Sequence, residues 1–227
     1  MIVSYSWTFF LIETFYEIIG QKINFVANYI LDKYLYMKNF NTYLENLDMN
    51  FLRNLCAENG KLYHYNKGDY FWRISDNKSL FGFIETGSFK YAITNYKGEE
   101  RITGFVFDST PVGDALNIVT NCEIRTDIVA LSESKVFVCN GSILADTLRH
   151  NPMLHTKIAN GLLAQTYDRF LDLYRKSPKE RYSDLLAKCP EILHKVSLKE
   201  LASYLQVTPT HLSRIRKEIT FDNKASL

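Results

Sequence analysis

Between Lys61 and Asn140 the chain is cut into short apolar or alternating runs by turn-forming clusters, and this punctuation constrains the fold more than any other feature. Asn66-Lys67-Gly68-Asp69, Ser75-Asp76-Asn77, Thr86-Gly87-Ser88, Tyr96-Lys97-Gly98-Glu99 and Asp108-Ser109-Thr110-Pro111 recur every eight to twelve residues. Glycine supplies backbone with positive φ, and Asn, Asp and Ser bond to their own main chain, so each cluster can reverse the chain direction. Runs this short, reversed this often, build an antiparallel sandwich or roll. Leu80-Phe81-Gly82-Phe83-Ile84 and Ser134-Lys135-Val136-Phe137-Val138-Cys139 are the clearest strands. The 15 Tyr and 15 Phe supply the bulky side chains that a pleated surface favours.

Helical periodicity flanks this region on both sides. From Phe40 to Asn59 apolar residues fall at threes and fours (Leu44, Leu47, Phe51, Leu52, Leu55). After Gly141 the same period returns. Leu154, Ile158, Leu162, Leu163, Tyr167, Phe170, Leu171 and Tyr174 form a stripe wider than one helix needs against its own domain. Such a helix pairs with its twin in a two-fold dimer, the alternative being a helix lying wholly on its own sheet. Ser177-Pro178 stops it and marks a boundary. Three further helical segments follow, around 179–188, 198–205 and 209–219. The expected fold is α+β. Residues 37–150 form an antiparallel β-roll with flanking helices, 151–177 a dimerisation helix and 178–227 an all-α, winged helix-turn-helix unit, with 1–36 an N-terminal extension.

The extension has two readings. Trp7 to Ile19 is strongly apolar but interrupted by Glu13 and Glu17 and followed by Gln21-Lys22, without a basic leader or small-residue cleavage site. It is too broken to span a bilayer. It is either an amphipathic helix or translated upstream sequence ahead of a natural start at Met37.

Net charge is only +2, but it is unevenly distributed. Arg175 to Lys217 holds ten Lys/Arg and four Asp/Glu, a net of +6; the remainder holds seventeen against twenty-one, a net of −4. A basic C-terminal module on a mildly acidic body suits a polyanion partner, although a basic solvated face is also common. Cys56, Cys122, Cys139 and Cys189 are scattered and form no CxxC, so no metal or iron–sulfur site is expected. A reducing cytoplasm fits their spacing.

Val196-Ser197-Leu198-Lys199-Glu200-Leu201 is a complete helix start. Ser197 and Glu200 can exchange capping bonds, and Val196 can close over Leu201. Ala202 is small where a second helix must cross. Leu205 and Val207 bracket a short turn, and Thr208-Pro209 opens another helix with a cap oxygen and a preset φ. In that second helix Leu212, Ile215 and Ile219 share one side. Thr210, Ser213, Arg214 and Lys217 share the other, with Arg216 at the flank. An ordinary amphipathic helix shows two such faces, but capped helix, tight turn and short second helix together specify a DNA reader.

The segment Val196–Ile219 (VSLKELASYLQVTPTHLSRIRKEI) resembles the helix-turn-helix of the Crp/Fnr family of bacterial transcription regulators. Upstream, Tyr65–Tyr70 (YNKGDY), Leu80–Gly87 (LFGFIETG) and Pro111–Asp114 (PVGD) are similar to turns and strands of that family's cyclic-nucleotide-binding β-roll. Arg125-Thr126 before Ala130-Leu131 resembles the end of its phosphate-binding cassette, and Phe170–Leu173 part of its dimer helix. The resemblance covers about residues 40 to 220 and implies a homodimeric regulator of double-stranded DNA that also engages RNA polymerase, with no membrane association. It implies that Arg214 reaches a guanine edge, that Thr208 with the helix N-terminus holds phosphate, with Pro209 beside it at the DNA interface, and that Thr210 and Ser213 help read bases. Arg216 and Lys217 would neutralise backbone charge. Where the family often has glycine in the turn, this chain has Gln206, which in a left-handed conformation costs roughly 1 kcal/mol.

The sensor stays open at this level. A cyclic-nucleotide pocket needs a cation, a neighbouring hydroxyl and a ribose-binding carboxylate. Arg125, Thr126 and Asp114 could supply them, with Gly113 and Ala115 nearby offering amides. The family's usual carboxylate is glutamate, and its adenine-binding polar pair would fall near Gly161-Leu162, with Gln165 and Thr166 one turn on. A cyclic nucleotide, another small effector, and a vestigial roll with Arg125 paired to Glu123 or Asp127 are the three readings. An enzymatic alternative, a cupin-like roll binding a metal or small molecule with a non-DNA helix pair, needs clustered histidines. His64 is the only one between Lys61 and Asn140, and no catalytic motif is evident.

Overall fold

The turn clusters fall between successive strands as expected, and the strands assemble into two four-stranded sheets. The computed structural model describes residues 40–76, 79–120, 122–123 and 125–225. The expected N-terminal helix and the alternative start at Met37 lie outside the described residues. The strands are β1 (Lys61–Tyr65), β2 (Tyr70–Trp72), β3 (Leu80–Thr86), β4 (Ser88–Thr94), β5 (Glu100–Phe107), β6 (Pro111–Gly113), β7 (Asp127–Ala130) and β8 (Ser134–Asn140). One sheet has the order β1-β8-β3-β6 and the other β2-β7-β4-β5, with every pairing antiparallel. At the tight β3–β4 reversal Gly87 takes φ +108, and a Cβ there would collide with Ser134. The roll is the expected antiparallel one.

Between the sheets Phe71, Trp72, Ile84, Phe89, Val106, Val112, Ile128 and Val136 close the first core. A second core lies beneath the helices α1 (Met49–Asn59), α2 (Ala115–Thr120), α3 (Gly141–His150) and α4 (Pro152–Arg175), where Leu52, Cys56, Phe81, Phe83, Leu144, Leu148 and Ile158 meet. The caps explain where these helices begin. Asp48 accepts the Phe51 amide, Asn140 the Ser142 amide and Asn151 the Leu154 amide, with Pro152 in the first turn of α4. The helical pattern from Phe40 to Asn59 is therefore only half a helix. Asp48 starts α1, while Thr42–Leu44 is a single 3₁₀ turn, because Asn41 spends its amide on the Phe105 carbonyl of β5 at 2.8 Å.

The remaining helices, α5 (Pro178–Lys188), α6 (Ile192–Lys195), α7 (Leu198–Tyr204) and α8 (Pro209–Ala225), share a third core with the roll. This explains an irregularity in β5. Ile102 and Thr103 alternate between buried and exposed, but Gly104–Phe107 are all buried. Val106 faces the core between the sheets, while Phe105 and Phe107 pack with Tyr182, Leu185, Ile192, Leu201 and Leu212. A strand covered on both faces loses its period-two pattern. Ser177 stops the long helix and also starts α5 through a reciprocal capping box with Glu180. Among the described residues, no helix is long and apolar enough to cross a membrane.

Candidate nucleic-acid interface

The helix pair α7–α8 is built by its caps. The Glu200 amide donates to Ser197 Oγ at 3.3 Å, and the Ser197 amide donates back to Glu200 Oε2 at 3.1 Å. At the other end of α7 the Gln206 amide donates to the Ser203 carbonyl (3.1 Å) and the Val207 amide to the Ala202 carbonyl (3.0 Å). These two bonds make a Schellman ending, which needs a left-handed residue between them. Gln206 is that residue, with φ +58. Two residues on, Thr208 Oγ1 accepts the His211 amide at 3.2 Å and opens α8.

Leu212 and Ile215 are buried with Leu201, Ala202 and Leu205, and Ile219 packs against the same core. The other side of α8 is open. Thr208, Pro209, Thr210, Arg214, Arg216 and Lys217 are exposed, and Ser213 is half-buried. The structure therefore brings Thr208, Pro209, Thr210, Ser213, Arg214 and Lys217 to the start and outer side of one helix, with Arg216 exposed at its flank. Their donors (a guanidinium at Arg214, hydroxyls at Thr208, Thr210 and Ser213, cations at Arg216 and Lys217) match base edges and phosphates. An open cleft of about 1,380 Å³, lined by Lys199, Gln206, Thr208 and His211 on one side and Arg101 and Thr103 on the other, leaves the beginning of α8 accessible.

Three residues that sequence reading passed over shape this surface. His211 is exposed one turn ahead of Arg214, and Lys199 is exposed on α7. Arg181 clamps the turn from below, donating to the Lys176 carbonyl at 2.8 Å and the Leu205 carbonyl at 3.0 Å. His211 was legible as the residue beside Thr210, whereas Arg181 bonds only main-chain oxygens and leaves no sequence signal.

The roll residues are arranged differently. Tyr91 sends its hydroxyl to Gly113, donating to the carbonyl at 2.9 Å and accepting the amide at 3.3 Å. Burial pushes the Tyr91 phenol well above its ordinary range, and the nearby Tyr43 adds to this. Asp114 Oδ1 accepts the Asn117 amide at 3.0 Å in the turn entering α2. Arg125 is exposed; Thr126 is half-buried and its carbonyl accepts Trp72 Nε1 at 3.0 Å. The side chain of Ala115 lies outside the described residues. Asp127 Oδ1 accepts the Ile74 amide at 2.8 Å. Beside Gly113 the gap lined by Tyr43, Phe81, Ile118 and Ile158 is about 30 Å³, close to the size of one water and far below the roughly 300 Å³ of a small-ligand pocket. Among the described residues no group of three or more His, Cys, Asp or Glu is placed to hold a metal.

A two-sheet roll, a long helix and a C-terminal helix-turn-helix in that order define the fold of the Crp/Fnr regulators. Solved structures sharing it include FixK2 from Bradyrhizobium japonicum (TM-score 0.62, 17% identity, 72% of this chain and 86% of that one). A CooA mutant from Carboxydothermus hydrogenoformans gives a TM-score of 0.56 at 12% identity over 80% and 84% of the two chains. CLP from Xanthomonas campestris, a c-di-GMP-responsive global regulator, gives 0.52 at 16% over 76% and 91%. At these identities the likeness is one of fold. No protein-family model and no curated protein sequence matches the chain.

Proposed function

We propose that the chain is a sequence-specific DNA-binding transcription regulator, not an enzyme, that acts in the cytoplasm as a homodimer. The observation that carries this is the two-sided α8, anchored by buried Leu212 and Ile215 and presenting Arg214 outward from a capped, Schellman-terminated partner helix. In this reading residues 37–150 are the sensor, 151–177 the dimer helix and 178–227 the reader.

The dimer reading rests on α4. Leu163, Tyr167, Phe170 and Tyr174 recur at helical spacing and are 69%, 59%, 51% and 78% exposed. An apolar stripe this open on a long helix is stabilised by burial against an identical stripe across a two-fold axis. The two α8 helices then enter successive major grooves, with half-sites roughly 34–36 Å apart. RNA polymerase is the further partner that the family resemblance implies.

The fold is compatible with a cyclic-nucleotide effector; at Gly113 itself the main chain is taken up by the Tyr91 hydroxyl and the gap beside it is about 30 Å³. Titration with cyclic nucleotides tests this, since a bound ligand raises the unfolding temperature by mass action.

Selection from random-sequence DNA, followed by the Arg214→Ala variant, tests the reader. Loss of a bidentate guanine contact costs about 1–3 kcal/mol, roughly 5- to 150-fold in operator affinity, with weak salt-sensitive binding retained. Unchanged operator affinity in the variant overturns the assignment of Arg214. Failure to select any sequence overturns the function.

A further inference from the structure

We infer that Phe40–Tyr43 is a wedge that fixes the angle of the helix-turn-helix on the roll, so that withdrawing it releases the reader. Four consecutive residues without a regular helix or strand of their own touch all three parts of the molecule. The Phe40 ring meets Phe105 and Phe107 of β5 at 5.6 and 6.0 Å and Tyr204 of α7 at 5.3 Å. The Arg169 guanidinium of α4 lies 4.7 Å from that ring and donates to the Phe40 carbonyl at 2.9 Å. Asn41 ties the same residues to the edge of β5. Gln165 Oε1 accepts the Thr42 hydroxyl at 3.1 Å and the Tyr43 amide at 3.3 Å. Gly161 completes the seat, since a Cβ there would stand 3.0 Å from the Cβ of Tyr43.

The polar links between the α6–α7 region and the roll are slight by comparison, while Leu201, Ala202 and Leu205 sit in the same buried core as Phe105 and Phe107. The Ile102 amide donates to Ser203 Oγ at 3.1 Å, Lys90 lies 3.9 Å from Glu200, and the ion pair of Lys195 with Asp108 is partly exposed. Partly exposed ion pairs contribute little, so the joint depends on the shared apolar core, of which the Phe40 ring is a part. Tyr204 also meets Phe105 directly, at 5.5 Å. Phe40 fills the corner between these two rings, and its removal leaves a void that the polar links do not close. The chain preceding Phe40 thus enters the described structure at the point where roll, dimer helix and reader converge.

Amide hydrogen exchange on the full chain, wild type against Phe40→Ala, tests this without DNA, so its outcome is separate from that of the DNA-binding reading. Local opening is read amide by amide. The expected result is that Ile102 and the α7 amides exchange about tenfold faster or more, while the β3 and β8 amides in the centre of the roll keep their rates. Unchanged exchange at Ile102 and α7, or equal acceleration across the whole roll, overturns the inference. Should Phe40→Ala fail to fold, Arg169→Met, which keeps the apolar stem but loses the bond to the Phe40 carbonyl, gives the same regional contrast in weaker form; an evenly spread effect overturns the inference there too.

Discussion

Replacing Gln206 with glycine should make the protein more stable, although it deletes a side chain and adds flexibility. Gln206 sits between the two Schellman bonds at φ +58, where an L-residue pays roughly 1–2 kcal/mol for the crowding of its Cβ. Glycine pays none of this in the folded state but loses about 0.4–1 kcal/mol more chain entropy on folding. The exposed Gln206 side chain has no bond whose loss would offset the gain. The net is a stabilisation of roughly 0.5–1 kcal/mol. For a chain of 150–250 residues each kcal/mol moves the unfolding temperature by about 2–4 °C, so Gln206→Gly should raise it by roughly 1–4 °C. Scanning calorimetry of wild type, Gln206→Gly and Gln206→Ala separates the causes, because alanine carries the same Cβ and should leave the midpoint nearly unchanged. A Gln206→Gly midpoint at or below that of wild type refutes the strain argument. Glycine and alanine raising it equally would show that the glutamine side chain, not its backbone, is the destabilising element.

Two further outcomes follow from the geometry. Introducing Glu at both Tyr167 and Phe170 places two carboxylates in the apolar stripe of α4, and sedimentation should show the proposed wild-type dimer replaced by a folded monomer; a dimer of unchanged affinity removes α4 as the interface. Asp172 gives a pH signature. Partial burial pushes its carboxyl up, but hydrogen bonds from Arg175 and Lys176 outweigh this and hold it below its ordinary 3.8. A depressed carboxyl contributes stability above its ordinary value and loses it as pH falls through the folded value. Asp172→Asn should therefore cost stability near neutrality and flatten the acid limb of a denaturation series, and an acid limb as steep as that of wild type would show that the ion pairs at the end of α4 are not responsible.

The architecture was legible because it is written in local chemistry. Turn clusters placed the first five strand connections of the roll, and Ser197 with Glu200, then Thr208 with Pro209, placed the starts of both helices of the pair, although the second runs on to Ala225, beyond the expected 219. These signals sit within a few positions of the atoms they bond, so one sequence suffices to read them. The start of the helix after Phe40 was misread for the opposite reason. Leu44 and Leu47 keep helical spacing, but the partners that hold Phe40–Tyr43 out of a helix are Phe105, Gln165 and Arg169, from 64 to 129 residues away. The buried run in β5 has the same origin, since only the docked helices explain why Phe105 and Phe107 are covered.

The sensor residues show where residue type stops informing. Arg125, Thr126 and Asp114 have the chemistry of an anion and ribose site, yet Asp114 caps a turn and the Gly113 main chain is occupied by the hydroxyl of Tyr91, 22 positions upstream on another strand. A tyrosine in β4 reads as an ordinary strand residue until the packing of one sheet against the other brings its hydroxyl to Gly113 of β6. The proposed reader is thus encoded in neighbouring residues, whereas what would switch it is encoded in contacts that only the assembled roll creates. The wedge at Phe40 belongs to the second kind, and a search for effectors should look at the chain entering that joint as well as at the interior of the roll.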